Sequence, residues 1–203
     1  MARREYRMTE RAKARDETRE RILAATMQLH DEQGVAATSF VDIAKRAGLG
    51  AATVYRHFET LGALVRACGE HVWAEMRPPL PDQAPGLFDA IAGRDARLRR
   101  LVEELDRFYA RGALRLERAV ADRDHVPELD QFLVAVETGV AFWVDYAAKD
   151  PEQPHGTPPT TIRRLLALTS FGVWLSMVRV GLGPEERVDL LAQVLACAMK
   201  PRS

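Results

Sequence analysis

The stretch from Thr38 to Phe58, TSFVDIAKRAGLGAATVYRHF, constrains the fold more than any other part of the chain. Ser39 stands three residues before Asp42, the spacing at which a hydroxyl and a carboxylate cap a helix start, so a short helix is expected over residues 40–46. Gly48 ends it, and a second short apolar-periodic piece follows over residues 51–58. Two short helices around a glycine-containing turn have the spacing of a helix-turn-helix. Ile43 and Ala44 face inward, Ala47 and Gly48 let the helices approach closely, and Leu49 and Val54 fill their junction. The exposed residues of the second helix, Ala51, Ala52, Thr53, Tyr55, Arg56 and His57, are small or hydrogen-bonding, so its end can enter a major groove about 12 Å wide.

The rest of the chain also reads as helix. Ile22, Leu23, Thr26, Met27 and Leu29 recur at three- and four-residue steps in a first helix over 16–33, which Gly34 stops. Thr60 caps a fourth helix carrying Leu64, Val65, Cys68, Val72 and Trp73. It stops near Arg77, because Pro78, Pro79, Pro81 and Pro85 lack the backbone donor a helix needs. Leu87, Ile91, Leu98, Leu101, Leu105 and Phe108 trace a further helical face, and Gly112 is expected to separate it from a shorter helix with Leu114, Leu116 and Val120. Pro127 opens a helix carrying Phe132, Leu133, Val136, Val140 and Trp143, followed by a proline-rich loop over 150–159. Two apolar helices, 160–182 and 184–199, close the chain as antiparallel neighbours across Gly181–Pro184. The expectation is an all-α chain of about nine helices without strands: a basic flexible arm over 1–15, a three-helix helix-turn-helix domain over 16–59, and a helical bundle over 60–203.

Charge enters through its distribution. Lys plus Arg and Asp plus Glu both number 29, so net charge points to no partner. The first fifteen residues are lopsided: Arg3, Arg4, Arg7, Arg11, Lys13 and Arg15 face only Glu5 and Glu10. Such a segment either reaches along phosphates or is a solvated terminus, and the sequence leaves both open. Cys68 and Cys197 lack a pairing or zinc pattern, which fits a reducing compartment. The apolar runs are broken by charges before about 18 residues, so a cytoplasmic location without membrane contact is expected. His125 with Asp122, Asp124 and Asp130 lacks the convergent helical spacing of a metal site. With no nucleophile elbow, phosphate loop or dinucleotide fingerprint, neither an enzyme nor a cofactor is expected.

Residues 19–64 resemble the DNA-binding domain of the TetR family of bacterial regulators. The resemblance is carried by Ile22-Leu-Ala-Ala, Gly34, Thr38-Ser39, Asp42-Ile43-Ala44, Ala47-Gly48-Leu49, Thr53-Val54-Tyr55-Arg56-His57-Phe58 and Leu64. It implies that Thr53 and Tyr55 hydrogen-bond phosphates, that His57 and Lys45 add backbone contacts, and that Thr38 with Ser39 sets a helix N-terminus against the other strand. Ala51, Ala52 and Arg56 are the candidates for base edges; Arg56 is equally open to a phosphate or a solvated role. Gly50 stands where the family usually has a serine cap, and Leu61 and Gly62 where Lys and Glu commonly open the fourth helix, which shifts weight onto the N-terminal arm.

The resemblance further implies a homodimer through the last two helices, a palindromic operator on double-stranded DNA, and a sensor domain of unspecified ligand. Leu165, Leu168, Phe171, Val178, Val188, Leu191, Val194 and Leu195 offer the apolar dimer face. Large apolar side chains on several helices suit a small apolar effector, and Trp73, Phe108, Tyr109, Trp143 and Trp174 are favoured as pocket residues, because they come from different helices and two of the residue types carry a polar handle. The alternative is an effector-independent regulator whose bundle binds a protein partner.

Overall fold

The computed structural model describes residues 2–149 and 156–200, with side chains from Thr9 onward. It contains ten α-helices and no strand among the described residues: α1 (Ala2–Gln33), α2 (Phe40–Ala47), α3 (Ala51–His57), α4 (Leu61–Met76), α5 (Ala84–Phe88) after a 3-10 turn at Pro81–Gln83, α6 (Arg94–Asp122), α7 (Pro127–Ala148), α8 (Pro159–Leu168), α9 (Phe171–Arg179) and α10 (Pro184–Ala198). Two compact units emerge, residues 1–74 with 117–132, and residues 75–116 with 133–203.

In the first unit the helix ends follow local chemistry. Ser39 Oγ accepts the Asp42 N–H at 3.2 Å while the Asp42 carboxylate accepts the Ser39 N–H at 3.2 Å, a closed capping box that starts α2. Gly48, at φ 62°, ends α2 in the left-handed conformation that an L side chain resists. Ile22, Leu23, Leu29, Ile43, Ala44, Val54, Phe58, Leu64 and Cys68 form the buried core on which α1 to α4 close. Arg21 of α1 donates to the carbonyls of Ala47 and Gly48, and Arg46 of α2 pairs in two-pronged fashion with Glu32. Both fix α2 to α1.

Three helix boundaries differ from the sequence expectation. Helix α1 begins at Ala2 and takes in the stretch set before the first helix. Gly112 does not interrupt α6, which is continuous from Arg94 to Asp122. A Cβ at that position would meet Met76 Cε at 2.2 Å, so the glycine serves close helix approach and not chain reversal. The single helix expected over 160–182 is broken at Thr169–Ser170. There the hydroxyls of Thr169 and Ser170 bond back to the carbonyls of Leu165 and Ala167, and the Tyr109 phenol donates to the freed Thr169 carbonyl at 2.8 Å. Of the expected loop over 150–159, residues 150–155 lie outside the described residues. No helix among the described residues is long and apolar enough to cross a membrane.

Candidate DNA-binding face and sensor core

The candidate DNA contacts gather at α2 and α3. Ser39, Lys45, Ala52, Tyr55 and Arg56 are exposed, and Ala51, Thr53 and His57 are half-buried. Tyr55 is held at its root by an edge-on contact with Phe40, ring centroids 4.5 Å apart, while half of it remains open to solvent. Thr38 is placed differently: it is buried, and its hydroxyl donates to the Gly34 carbonyl at 2.8 Å, so its side chain serves the turn that leads into α2. Burial, then the charges of Arg56, Arg15 and Arg19, hold the His57 imidazole below its ordinary pKa. Arg15 and Arg19 therefore lie within electrostatic reach of the end of α3, and Arg19 also caps the Phe58 ring at 4.4 Å. Arg19 escaped the sequence reading because on α1 it reads as a solvent-facing charge. Its one available signal is the four-residue step from Arg15, which puts two cations on one helical face.

The turn before α2 is tied down from far along the chain. Asp122, the last residue of α6, accepts the Val35 and Ala36 N–H groups at 2.7 and 3.1 Å. Of the acidic groups near His125, Asp130 pairs with Arg123 at 2.8 Å. No cluster of His, Cys, Asp or Glu suited to a metal occurs among the described residues.

The five favoured pocket residues do not share one site. Trp73 lies in the first unit, edge-on to Phe132 at 5.6 Å. In the second unit Trp143 donates to the Leu80 carbonyl at 2.7 Å and packs on Phe88. Phe108, Tyr109 and Trp174 are brought together, with ring centroids 5.1 Å apart for Phe108–Tyr109 and 5.8 Å for Tyr109–Trp174. Tyr109 and Trp174 line an enclosed cavity with Asp106, Thr169, Met177 and Arg187, whose volume, about 10 Å³, is the space of one water.

A buried ion pair closes one wall. The Arg187 guanidinium donates to both Asp106 oxygens at 2.7 and 3.1 Å, Trp174 Nε1 donates to the same carboxylate at 2.7 Å, and the Leu182 carbonyl accepts the remaining arm of Arg187. Sequence reading missed both charges, although the signal was there. Asp106 falls on the apolar stripe of α6 between Val102 and Tyr109, and Arg187 on that of α10 between Pro184 and Leu191. Burial, and then the charge of Glu137, push the Tyr109 phenol up, so it stays a donor to Thr169.

A capped helix, a glycine turn and a short exposed helix on a three-helix core define the class: a helix-turn-helix domain joined to a helical bundle. Residues 22–68 match the model of the bacterial regulatory proteins of the tetR family. An HTH-type transcriptional repressor of Mycobacterium tuberculosis is 39% identical over 71 residues, 35% of this chain and 38% of that protein, so the match spans well under half of the relative. The multidrug binding protein EbrR, in complex with imidazole, shares the fold at TM-score 0.60 and 20% identity, over 92% of both chains. NalD, the secondary repressor of the MexAB-OprM multidrug efflux pump in Pseudomonas aeruginosa, shares it at TM-score 0.61 and 22% identity, over 90% of this chain and 96% of that one.

Proposed function

We propose that the protein is a transcriptional repressor that binds a palindromic operator as a homodimer and is released from it by a small apolar, ring-containing effector. The observation that supports this best is the exposed set Ser39, Lys45, Ala52, Tyr55 and Arg56, presented by α2, whose start is closed by its own capping box, and by α3, whose Gly50 start carries no side-chain cap. Such a face spends its hydrogen bonds on a partner, and phosphates and base edges match its chemistry. For the dimer, Val178, Val180, Leu190 and Val194 leave apolar surface open on and beside α9 and α10, and two-fold pairing would cover it. Half-sites about one helical turn, 34 to 36 Å, or a multiple apart follow from that symmetry.

The effector reading leans on Phe108, Tyr109, Phe171 and Trp174, an aromatic wall of the kind small apolar ligands use. One protein of the same fold, the multidrug binding protein EbrR, has been crystallised with ethidium and with proflavin. The enclosed space is far below the few hundred Å³ a drug-sized ligand occupies, so an effector enters only by parting α6 from α9. Binding and conformational change are then one event, and release of DNA requires the effector to prefer the opened state. The same filled core is what favours the second reading, a regulator without an effector whose bundle binds a protein.

The test is selection of bound fragments from genomic DNA, followed by affinity at two salt concentrations against a scrambled competitor, then addition of proflavin. A recurring palindrome released by proflavin, with a raised melting temperature, supports the first reading. A palindrome indifferent to a panel of such ligands favours the second, and only sequence-blind, salt-sensitive binding sinks the operator. If α4 carries the signal, Trp73→Ala keeps operator affinity and loses ligand-driven release; normal release in that variant removes α4 as the route.

A further inference from the structure

Helix α1 ends at Gln33, and the five residues 34–38 must turn the chain and deliver Ser39 to the start of α2. Gly34 makes the turn at φ 90°. The next two N–H groups, of Val35 and Ala36, point at one oxygen, Asp122 Oδ2, at 2.7 and 3.1 Å, from a residue 87 positions on from Val35. A Cβ on Gly34 would come within 2.9 Å of that same oxygen, so the turn and the carboxylate are fitted to each other. One turn earlier on the same face of α6, Arg118 donates to the Glu32 carbonyl at 3.3 Å. Two side chains of α6 thus serve the end of α1 and the turn after it, a carbonyl of the last helical turn by the cation and two amides of the following turn by the anion.

Asp122 occupies a costly place. A carboxylate in the last turn of a helix faces the negative end of the helix dipole. Its own carbonyl already accepts the His125 and Val126 N–H groups and so holds the turn into α7. The side chain is free to do something other than cap its own helix, and what it does is hold the turn before α2.

We propose that Asp122 is a positioning residue for DNA binding: its carboxylate fixes the 34–38 turn and so sets where Ser39 and the start of α2 meet the phosphates. This rests on the operator-binding reading above.

The experiment compares wild type, Asp122→Asn and Asp122→Ala for affinity to the selected operator, well below each protein's melting temperature, with amide exchange read at Val35 and Ala36. Asn keeps an oxygen acceptor and Ala does not. Asp122→Ala should speed exchange at both amides, of which Val35 is buried and Ala36 exposed, and weaken operator binding by about tenfold, whereas Asp122→Asn should stay within about threefold of wild type. Combined with Ser39→Ala, Asp122→Ala should cost much less than it does alone, because both act at the same phosphate-facing helix start. A purely structural aspartate would lower the melting temperature and leave the affinity of folded protein unchanged, or add fully to Ser39→Ala; either overturns the proposal. Should Asp122→Ala fail to fold, Asp122→Asn alone decides through Val35 and Ala36 exchange: slow amides with wild-type affinity uphold the acceptor role, and fast amides with wild-type affinity overturn it. Wild type without any operator would remove the functional reading and this inference with it, whereas a wild type that binds and an Asp122→Ala that binds equally removes this inference only.

Discussion

His30 sits in the last turn of α1, largely buried, with no bonding partner for its Nε2 atom among the described residues. Burial lowers its pKa from 6.5 to about 4, against a smaller upward pull from Asp122, so it is neutral in the folded protein. In the unfolded chain it titrates near 6.5, and between these values the unfolded state binds more protons. Stability is therefore complete above pH 6.5 and falls as the pH drops toward 4, by up to about 1.4 kcal/mol per pH unit and about 3 kcal/mol in all. Denaturant unfolding at pH 7.5, 6 and 5 checks this: His30→Gln should lose less stability over the range than wild type. Parallel curves for the two proteins would mean that His30 takes up its proton without loss of fold.

Helix α6 owes its role to features that compete with its own propensity. It keeps a glycine inside and buries Asp106 among Leu105, Phe108 and Tyr109. Arg187 answers that charge, with both side chains about one-tenth exposed or less. A buried pair of this kind gains little over an apolar substitute, but losing one partner strands the other. Asp106→Ala should therefore destabilise the protein by about 3–5 kcal/mol, while Asp106→Leu with Arg187→Leu should come close to wild type, both read by denaturant unfolding. Equal losses in the two variants would show the pair to be a net source of stability. These elements also show what a sequence reveals. Helices α2, α3, α4 and α7 were legible because Ser39, Gly48, Thr60 and Pro127 mark their ends through bonds within a few residues. The continuity of α6 and the break after α8 depend on Met76 approaching Gly112 and on Tyr109 serving Thr169, partners that lie 36 and 60 positions apart. The exposure of Ala52, Tyr55 and Arg56 on α3 was legible from the motif. The inward turn of Thr38, the scatter of the five aromatic candidates and the bond of Asp122 to residues 35 and 36 were set by packing that no local pattern encodes.

At the scale of the whole molecule, a chain with formal net charge of zero gains nothing from long-range attraction to DNA, so its encounter with a duplex rests on local fields. The strongest local excess is at the start, where six cations and two carboxylates within residues 1–15 leave +4. These residues belong to α1, and the side chains from Thr9 to Arg15 are all exposed. Exposed side chains such as those from Thr9 to Arg15 add little to the stability of the core that the helix extends. Their charge, carried on a helix, still bears on any phosphate within about a Debye length, some 8 Å at physiological salt. Removing residues 1–15 should leave the melting temperature within a degree or two of wild type while weakening binding to operator and scrambled duplex alike. The slope of log affinity against log salt should become shallower by roughly one unit for each phosphate that is no longer neutralised. Titrations at four salt concentrations on both duplexes check this. An unchanged slope would place the electrostatic grip on Arg19, Lys45 and Arg56 instead, and a weakening confined to the operator would mean that the N-terminal stretch of α1 reads sequence and does not merely hold the backbone.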